Sequence, residues 1–104
     1  MALDGPVQDF LKALASETRQ QIMTSFAGGR QLTVGEVAYC CGLGQSTASE
    51  HLAILRRGGL VTATRDGKLV RYRADPVTMD ARLAELQGYL ACCCPPEQSA
   101  QDQQ

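Results

Sequence analysis

The dipeptide Asp66-Gly67 lies between two runs of β-prone residues, "LVTATR" and "KLVRYR". An Asp-Gly pair flanked in this way is a strong signal for a tight β-hairpin, because glycine tolerates the positive φ that such turns need. The segments on either side of the hairpin show helical spacing of apolar residues instead. We therefore predict a mainly α fold with one small β-hairpin.

Cap and stop residues divide the helical part into five segments. Ser16 is a good N-cap, Thr33 and Glu36 form the pattern of a capping box, and Pro76 suits the first turn of a helix. Glycine pairs and Gly42 mark helix ends. The predicted helices lie in "VQDFLKALA", "SETRQQIMTSFAGG", "TVGEVAYCCGL", "QSTASEHLAILRRGG" and "TMDARLAELQGYLACC".

Length and composition limit the organisation of the chain. A chain of 104 residues forms one small domain, which we place at residues 1–94, and the polar residues 95–104 are expected to be a disordered tail. No apolar run reaches the roughly 20 residues that cross a bilayer. The first residues lack the pattern of a signal peptide, so we expect a cytoplasmic protein with no membrane contact. In that reducing compartment five cysteines are not expected to form disulfides.

Charge is distributed unevenly along the chain. The net charge is −1, yet the segment from Gln45 to Arg73 holds six basic residues and two acidic ones, a local charge of +4. A basic segment on an acidic body is typical of a protein that touches phosphates with one face.

Two short helices joined by a tight turn and followed by an arginine-rich hairpin have the order of a winged helix-turn-helix. The second helix of such a pair enters the DNA major groove with its N-terminal residues. Small Ala48 and Ser49 are expected to let its backbone approach the DNA closely. Basic residues of the hairpin are expected to reach phosphates or the minor groove. The predicted DNA contacts are Gln45, Ser46, Thr47, Ser49 and His51 on the helix, with Arg65, Lys68 and Arg71 on the hairpin.

The stretches "ALASETRQQIM", "LTVGEVAYCCGLGQSTASEHLAILRRGGLV" and "R-DGKLVRYR" resemble the ArsR/SmtB family of metal-responsive transcriptional repressors. The resemblance extends from about Leu11 to Leu90. It implies a regulator, not an enzyme, that binds double-stranded operator DNA as a homodimer and releases it on binding a toxic metal or metalloid. It also implies dimerisation through the first and last helices, which fits an apolar stripe in the last one at Met79, Leu83, Leu86 and Leu90.

Two metal sites known in the family are missing from this sequence. Thr33, Gly35 and Ala38 occupy the positions where older-type arsenic sensors carry cysteines. Zinc-type sensors of the family use histidine and carboxylate pairs along the last helix, whereas the sole histidine here is His51. The inducer must therefore be inferred from the cysteines that are present.

Cys92, Cys93 and Cys94 are the predicted inducer site. Adjacent thiols select soft ions, so the candidates are As(III) as arsenite or a methylated arsenical, or else Sb(III), Hg(II), Cd(II) or Pb(II). Successive helix residues are about 100° apart, so three in a row do not converge on a regular helix. Helical geometry is disfavoured at Cys94 because Pro95 follows it, which frees the thiols to turn toward one ion. No cofactor is expected to be needed for DNA binding itself.

Two alternatives remain open. In the first, the input is oxidation of the neighbouring cysteines, and the protein is a thiol redox-sensing repressor of the same fold. In the second, the protein is a small arsenic or metal carrier or a thiol enzyme, although it has no C-x-x-C motif. We expect Cys40 and Cys41 to be structural, because Cys41 shares an apolar helix face with Val34 and Val37.

Overall fold

The computed structural model describes residues 3–95, and in that range it contains five α-helices and one antiparallel pair of strands. This confirms the predicted mainly α fold with a small hairpin. The predicted tail, apart from Pro95, lies outside the described residues. The elements are α1 (Gly5–Leu14), α2 (Glu17–Thr24), α3 (Val34–Cys41), α4 (Gln45–Arg57), β1 (Val61–Asp66), β2 (Leu69–Ala74) and α5 (Pro76–Cys93), with a short 3₁₀ turn at Ala27–Gly29.

Side-chain caps begin the helices where the sequence predicted them. Ser16 Oγ accepts from the Arg19 N–H at 3.2 Å, which starts α2. In α3 the Thr33 N–H donates to Glu36 Oε1 at 2.8 Å and the Glu36 N–H donates to Thr33 Oγ1 at 3.2 Å, so the capping box is complete. The bond from the Thr33 N–H is the main reason that the pKa of Glu36 lies below its ordinary value.

The second helix is shorter than predicted. We expected it to run to Gly28 and Gly29, but α2 ends at Thr24 and a 3₁₀ turn follows. Both glycines have positive φ, 76° and 78°, which an α-helix does not accommodate. The earlier end of α2 leaves the core intact, because Ile22 and Phe26 are buried on either side of it.

The core lies where α1, α2, α3, α4 and β1 meet. Leu52 and Leu55 of α4 point inward and are fully buried. In α1 the buried face consists of Val7, Phe10 and Ala13, whereas Leu11 and Leu14 are half-buried at its edge. Helices α1 and α4 approach closely at Gly58, where a Cβ would lie 2.8 Å from both Ala13 Cβ and Asp9 O.

The hairpin turn lies one residue further along than the Asp-Gly signal indicated. Asp66 pairs with Leu69 in the ladder, so the two loop residues are Gly67 and Lys68. Gly67 has φ of 65°, and no residue other than glycine has positive φ within residues 3–95. Glycine with positive φ at the first of two loop positions is the requirement of a type II′ turn. This places the Lys68 side chain at the tip of the wing.

Backbone pairing outside the hairpin attaches the wing to the helical body. Leu32 and Tyr72 exchange hydrogen bonds, from Leu32 N to Tyr72 O at 2.9 Å and from Tyr72 N to Leu32 O at 2.7 Å. This isolated bridge lies just before α3. The base of the wing therefore has a set position relative to the helix-turn-helix.

Helix α5 follows the wing and has no fully buried residue. Met79 packs against the core, whereas Leu83 and Leu90 on the same stripe are half exposed, at 50% and 49%. The stripe predicted for dimerisation is therefore open in the single chain. Among residues 3–95, no helix combines the length and the apolar character that crossing a membrane requires.

Candidate nucleic-acid interface

A glycine in the left-handed backbone conformation ends α3 and begins the turn to α4. Gly42 has φ of 66°, its N–H is directed to Tyr39 O at 3.4 Å, and the Leu43 N–H donates to Ala38 O at 2.9 Å. These two bonds are those of a Schellman motif, which closes a helix and sets the direction of the chain that leaves it. Only residues 42–44 separate the two helices. This is the predicted tight turn of a helix-turn-helix.

The first turn of α4 leaves its backbone donors available. Gly44 is the N-cap and supplies no side-chain hydrogen bond. The first N–H groups of a helix have no partner within the helix, and together with the helix dipole they attract phosphate. Gln45, Ser46 and Thr47 are exposed around this end. The N-terminus of α4 can therefore meet both base edges and backbone phosphates.

Burial separates the two faces of α4. Ala48, Leu52 and Leu55 are fully buried, whereas Ser49 is exposed with the polar residues of the first turn. The predicted role of Ala48 in close approach to DNA is wrong, because its side chain packs in the core.

The wing and the start of α4 share one surface. A hollow of about 370 Å³ is lined from three elements: the start of α3, the start of α4 and the wing tip. Gln45 of α4 and Lys68 of the wing both line it. A second hollow of about 590 Å³ continues along α4 past Gln45, Ser46 and Ser49. The structure therefore brings the N-terminal end of α4 and the Lys68 side chain to one groove.

The wing arginines do not act as one group. Cross-strand pairing sets Arg71 opposite Thr64 and Arg65 opposite Val70, and neighbouring strand positions face opposite sides of the hairpin. Arg71 Nε also lies 3.6 Å from Asp66 Oδ2, an exposed ion pair of small energy. Arg65 and Lys68 are exposed. Of the three predicted basic contacts, Arg71 is the one already shared with a neighbouring carboxylate.

His51 lies on the other flank of α4, away from the wing. The ring is half-buried, and its Nδ1 is 3.2 Å from Nη1 of Arg19 on α2. Arg19 is not among the residues predicted from the sequence to contribute to the site. The two residues are 32 positions apart, and no local pattern indicates that they meet.

The C-terminal thiols come together as a pair, not as a trio. Cys92 and Cys93 end α5, and Cys94 leaves helical geometry with φ of −138° and ψ of 67°, as Pro95 predicts. Cys93 Sγ lies 2.8 Å from Cys94 Sγ. This contact is the main reason that the pKa of the Cys93 thiol lies above its ordinary value. No group of three histidine, cysteine or carboxylate side chains within residues 3–95 is arranged to hold a metal ion. The predicted convergence is thus met by Cys93 and Cys94, without Cys92.

The other two cysteines differ in exposure. Cys41 is half-buried against the core beside Val34 and Leu43, as the helix phase predicted, and burial raises the pKa of its thiol. Cys40 is exposed, so the prediction of structural packing for both cysteines is wrong for Cys40 and agrees with the structure only for Cys41.

Comparison with known proteins agrees with the helix-turn-helix seen in the structure. Residues 14–63 match a family model described as a helix-turn-helix domain. The transcriptional activator HlyU of Vibrio cholerae is 39% identical over 79% of this chain and 74% of its own length. The arsenical resistance operon repressor of Escherichia coli is 38% identical over 68% of this chain, which spans 60% of that repressor.

A solved structure gives the same fold in a dimer. It is a homodimeric winged helix-turn-helix DNA-binding domain from Mycobacterium bovis, described as a possible ArsR-family transcriptional regulator. It superposes with a TM-score of 0.64 at 32% identity and covers 84% of this chain and 82% of its own. The relatives are transcriptional regulators, in agreement with the prediction that the protein is not an enzyme. The chain belongs to the ArsR family of winged helix-turn-helix transcriptional regulators.

Proposed function

We propose that this regulator is a homodimeric repressor that binds operator DNA and releases it when a trivalent arsenic compound binds its C-terminal cysteines. The observation that carries the DNA-binding part is the single surface formed by the wing tip and the start of α4, where Lys68 and Gln45 line one hollow. A DNA-binding regulator must be in the same compartment as its operator, which agrees with the cytoplasmic location expected from the sequence.

The two halves of that surface should contribute differently to DNA binding. Replacing Arg65 and Lys68 with glutamine should weaken binding to all sequences and lower the slope of log affinity against log salt by about 0.9 for each lost phosphate contact. Arg30→Gln is a matched control, because Arg30 is exposed near the base of the wing, away from its tip. Fluorescence anisotropy across a salt series measures the slope.

Base reading should follow the start of α4 instead. Replacing Gln45 or Ser46 with alanine should change which operator sequence is preferred, at about 1–3 kcal/mol for each lost base contact, with little change in salt slope. A gel shift on the DNA upstream of its gene, against random duplex, is the basic test. If the purified protein shows no preference at physiological salt, the proposed function is wrong.

The dimer rests on the open stripe of α5. Leu83 and Leu90 lie on the same stripe as Met79 and are half exposed, so an apolar strip of α5 is available for a second copy of the chain to cover. A two-fold dimer would present two α4 helices to successive major grooves. Operator half-sites should then be about one helical turn apart.

The sensing part rests on the Cys93–Cys94 pair. A methylated trivalent arsenical keeps its carbon–arsenic bond and needs two thiolates, which this pair offers at once. Arsenite needs three, so Cys92 must join by unwinding of the last turn of α5 or a thiol must come from the second subunit. Sb(III), Hg(II), Cd(II) and Pb(II) are further candidates for the same soft ligands.

The pH dependence of binding separates arsenic from the divalent ions. The raised pKa of Cys93 keeps it a protonated thiol at neutral pH. When As(OH)₃ reacts with thiols, each proton leaves with a hydroxide as water, so arsenite affinity should change little between pH 6 and pH 8. When Cd(II) binds, each thiol proton is released to solvent, so affinity should rise about tenfold per pH unit for Cys93 alone. Isothermal titration calorimetry of both ions at three pH values checks this, and an arsenite affinity that rises as steeply would contradict it.

Thiol oxidation is the second candidate input, because the same 2.8 Å contact places two sulfurs where peroxide can join them. The reaction would turn two thiols and one peroxide into a disulfide and two waters. A gel shift with arsenite under argon and another with hydrogen peroxide alone distinguish the two inputs.

A further inference from the structure

Arg19 connects three helices through its guanidinium group. Its Nε donates to Ala13 O at 2.8 Å and one terminal nitrogen, Nη2, donates to Lys12 O at 3.0 Å, so it caps the C-terminal end of α1. The other terminal nitrogen, Nη1, lies 3.2 Å from His51 Nδ1 on α4. The His51 side chain on α4 is therefore linked through one imidazole nitrogen to the end of α1 and to α2.

This contact determines where the proton of His51 lies. A guanidinium has five donors and no acceptor, so the His51 Nδ1 that faces it must be the acceptor. A neutral imidazole with an unprotonated Nδ1 carries its proton on Nε2. The contact thus selects the tautomer in which Nε2–H is a donor, on the side of the ring away from Arg19.

The position of His51 on α4 suggests what accepts this hydrogen bond. Gln45 and Ser49 line the hollows on the wing side of α4, whereas His51 and Thr47 lie on the opposite flank, one helical turn apart. A helix in the major groove has a phosphate backbone along each flank. The wing tip is placed to contact the phosphate backbone on one flank, and His51 is placed to contact the phosphate backbone on the other.

We propose that Arg19 is a positioning residue that holds His51 as a neutral Nε2–H donor to a DNA phosphate on the flank of α4 opposite the wing. This rests on the proposed DNA binding and adds a second line of backbone contact to it. The donor is neutral, so it releases no counterion. It should contribute affinity without contributing to the salt slope.

A pair of substitutions at His51 tests which nitrogen matters. In His51→Gln the amide nitrogen can occupy the place of Nε2, whereas the shorter side chain of His51→Asn reaches only the place of Nδ1. We expect His51→Gln to stay within about threefold of the natural affinity and His51→Asn to lose about tenfold or more, equally for operator and random duplex and with unchanged salt slope. Equal affinities for the two variants, or a reduced salt slope, would overturn the assignment.

A double-mutant cycle tests the role of Arg19. Arg19→Met keeps the aliphatic stem and removes the donors, and it should lower DNA affinity about tenfold in the natural background but less than twofold in the His51→Asn background. Urea unfolding of each variant identifies conditions in which all are folded. If Arg19→Met lowers affinity equally in both backgrounds, Arg19 acts on the scaffold alone and the proposal is wrong.

The imidazole can also be observed without DNA. His51 is the only histidine, so two-bond ¹H–¹⁵N spectra report its tautomer without assignment work. The neutral ring should carry its proton on Nε2 in the natural protein and become a mixture of tautomers in Arg19→Met. A proton on Nδ1 would refute the positioning role even if DNA binding is as proposed. If instead the tautomer is as expected and the protein binds no DNA, it is the proposed function that fails.

Discussion

Serine at positions 92, 93 and 94 together is expected to abolish the release of DNA by arsenite while leaving DNA affinity without arsenite unchanged. All three cysteines are exposed and make no contact with the core, so the exchange should not disturb the fold. A hydroxyl is a poor ligand for a soft ion, so the site is lost. The natural protein should lose about 5- to 150-fold in DNA affinity on saturation with arsenite, the range of typical coupling energies of about 1–3 kcal/mol. The triple variant should lose none.

Single variants and a matched control define the site further. Cys93→Ser and Cys94→Ser each break the pair seen in the structure, so both should remove the response to methylarsenite and to arsenite. Cys92→Ser should spare the response to methylarsenite, which needs two thiols. It should remove the response to arsenite where Cys92, and not a thiol of the second subunit, supplies the third ligand. Cys40→Ser is the control, since Cys40 is also exposed but lies on α3. A triple variant that still leaves DNA on adding arsenite would show that the site lies elsewhere.

The prediction from sequence succeeded where structure is determined by residues close together in the chain. The Thr33–Glu36 capping box, the Ser16 cap and the glycine that ends α3 each involve residues within five positions of one another. Their hydrogen bonds depend on local geometry alone, so their residue pattern is sufficient to place them. The order of helices and hairpin that results is specific to a winged helix-turn-helix.

Errors arose where several local solutions are compatible with the same residues. An Asp-Gly pair can occupy both loop positions or, as here, the last ladder position and the first loop position. Pairing along the whole hairpin decides between them, with Val61 opposite Ala74 at its base. Likewise, the small size of Ala48 is compatible with either face of α4, and burial against the core determines which one it takes.

Long-range contacts account for the rest of the interface. Arg19 and His51 are brought together by the packing of α2 against α1 and of α1 against α4, which no single window of sequence encodes. The Cys93–Cys94 pair was within reach of prediction, because a residue before proline avoids helical geometry. That Cys92 does not join the pair follows from its place inside the last turn of α5.

Glutamate in place of both Leu83 and Leu90 is expected to convert the dimer to monomers and to lower operator affinity about a hundredfold or more. Two negative charges per chain on the apolar stripe would face their copies across a two-fold interface, and the stripe itself offers no basic residue to pair with them. A monomer binds one half-site only. In the dimer, the linked second subunit has a high effective concentration at the other half-site, which typically raises the affinity by a factor of about 10²–10⁴. Sedimentation velocity measures the dimer, and anisotropy on full and half operators measures the affinity.

A matched control for this experiment is a double substitution on another face of α5. Ala84 and Ala91 each follow one of the two leucines, have the same spacing and are exposed. Glutamate at both adds the same charge at nearly the same distance from DNA, but about 100° around the helix from the apolar stripe. We expect this variant to remain a dimer and to bind the full operator within a few-fold of the natural protein. Repulsion of DNA by the added charge is common to both variants, so the difference between their affinities measures the loss of the dimer. A monomeric Ala84→Glu/Ala91→Glu protein, or a dimeric Leu83→Glu/Leu90→Glu protein, would place the interface on a different face of the molecule.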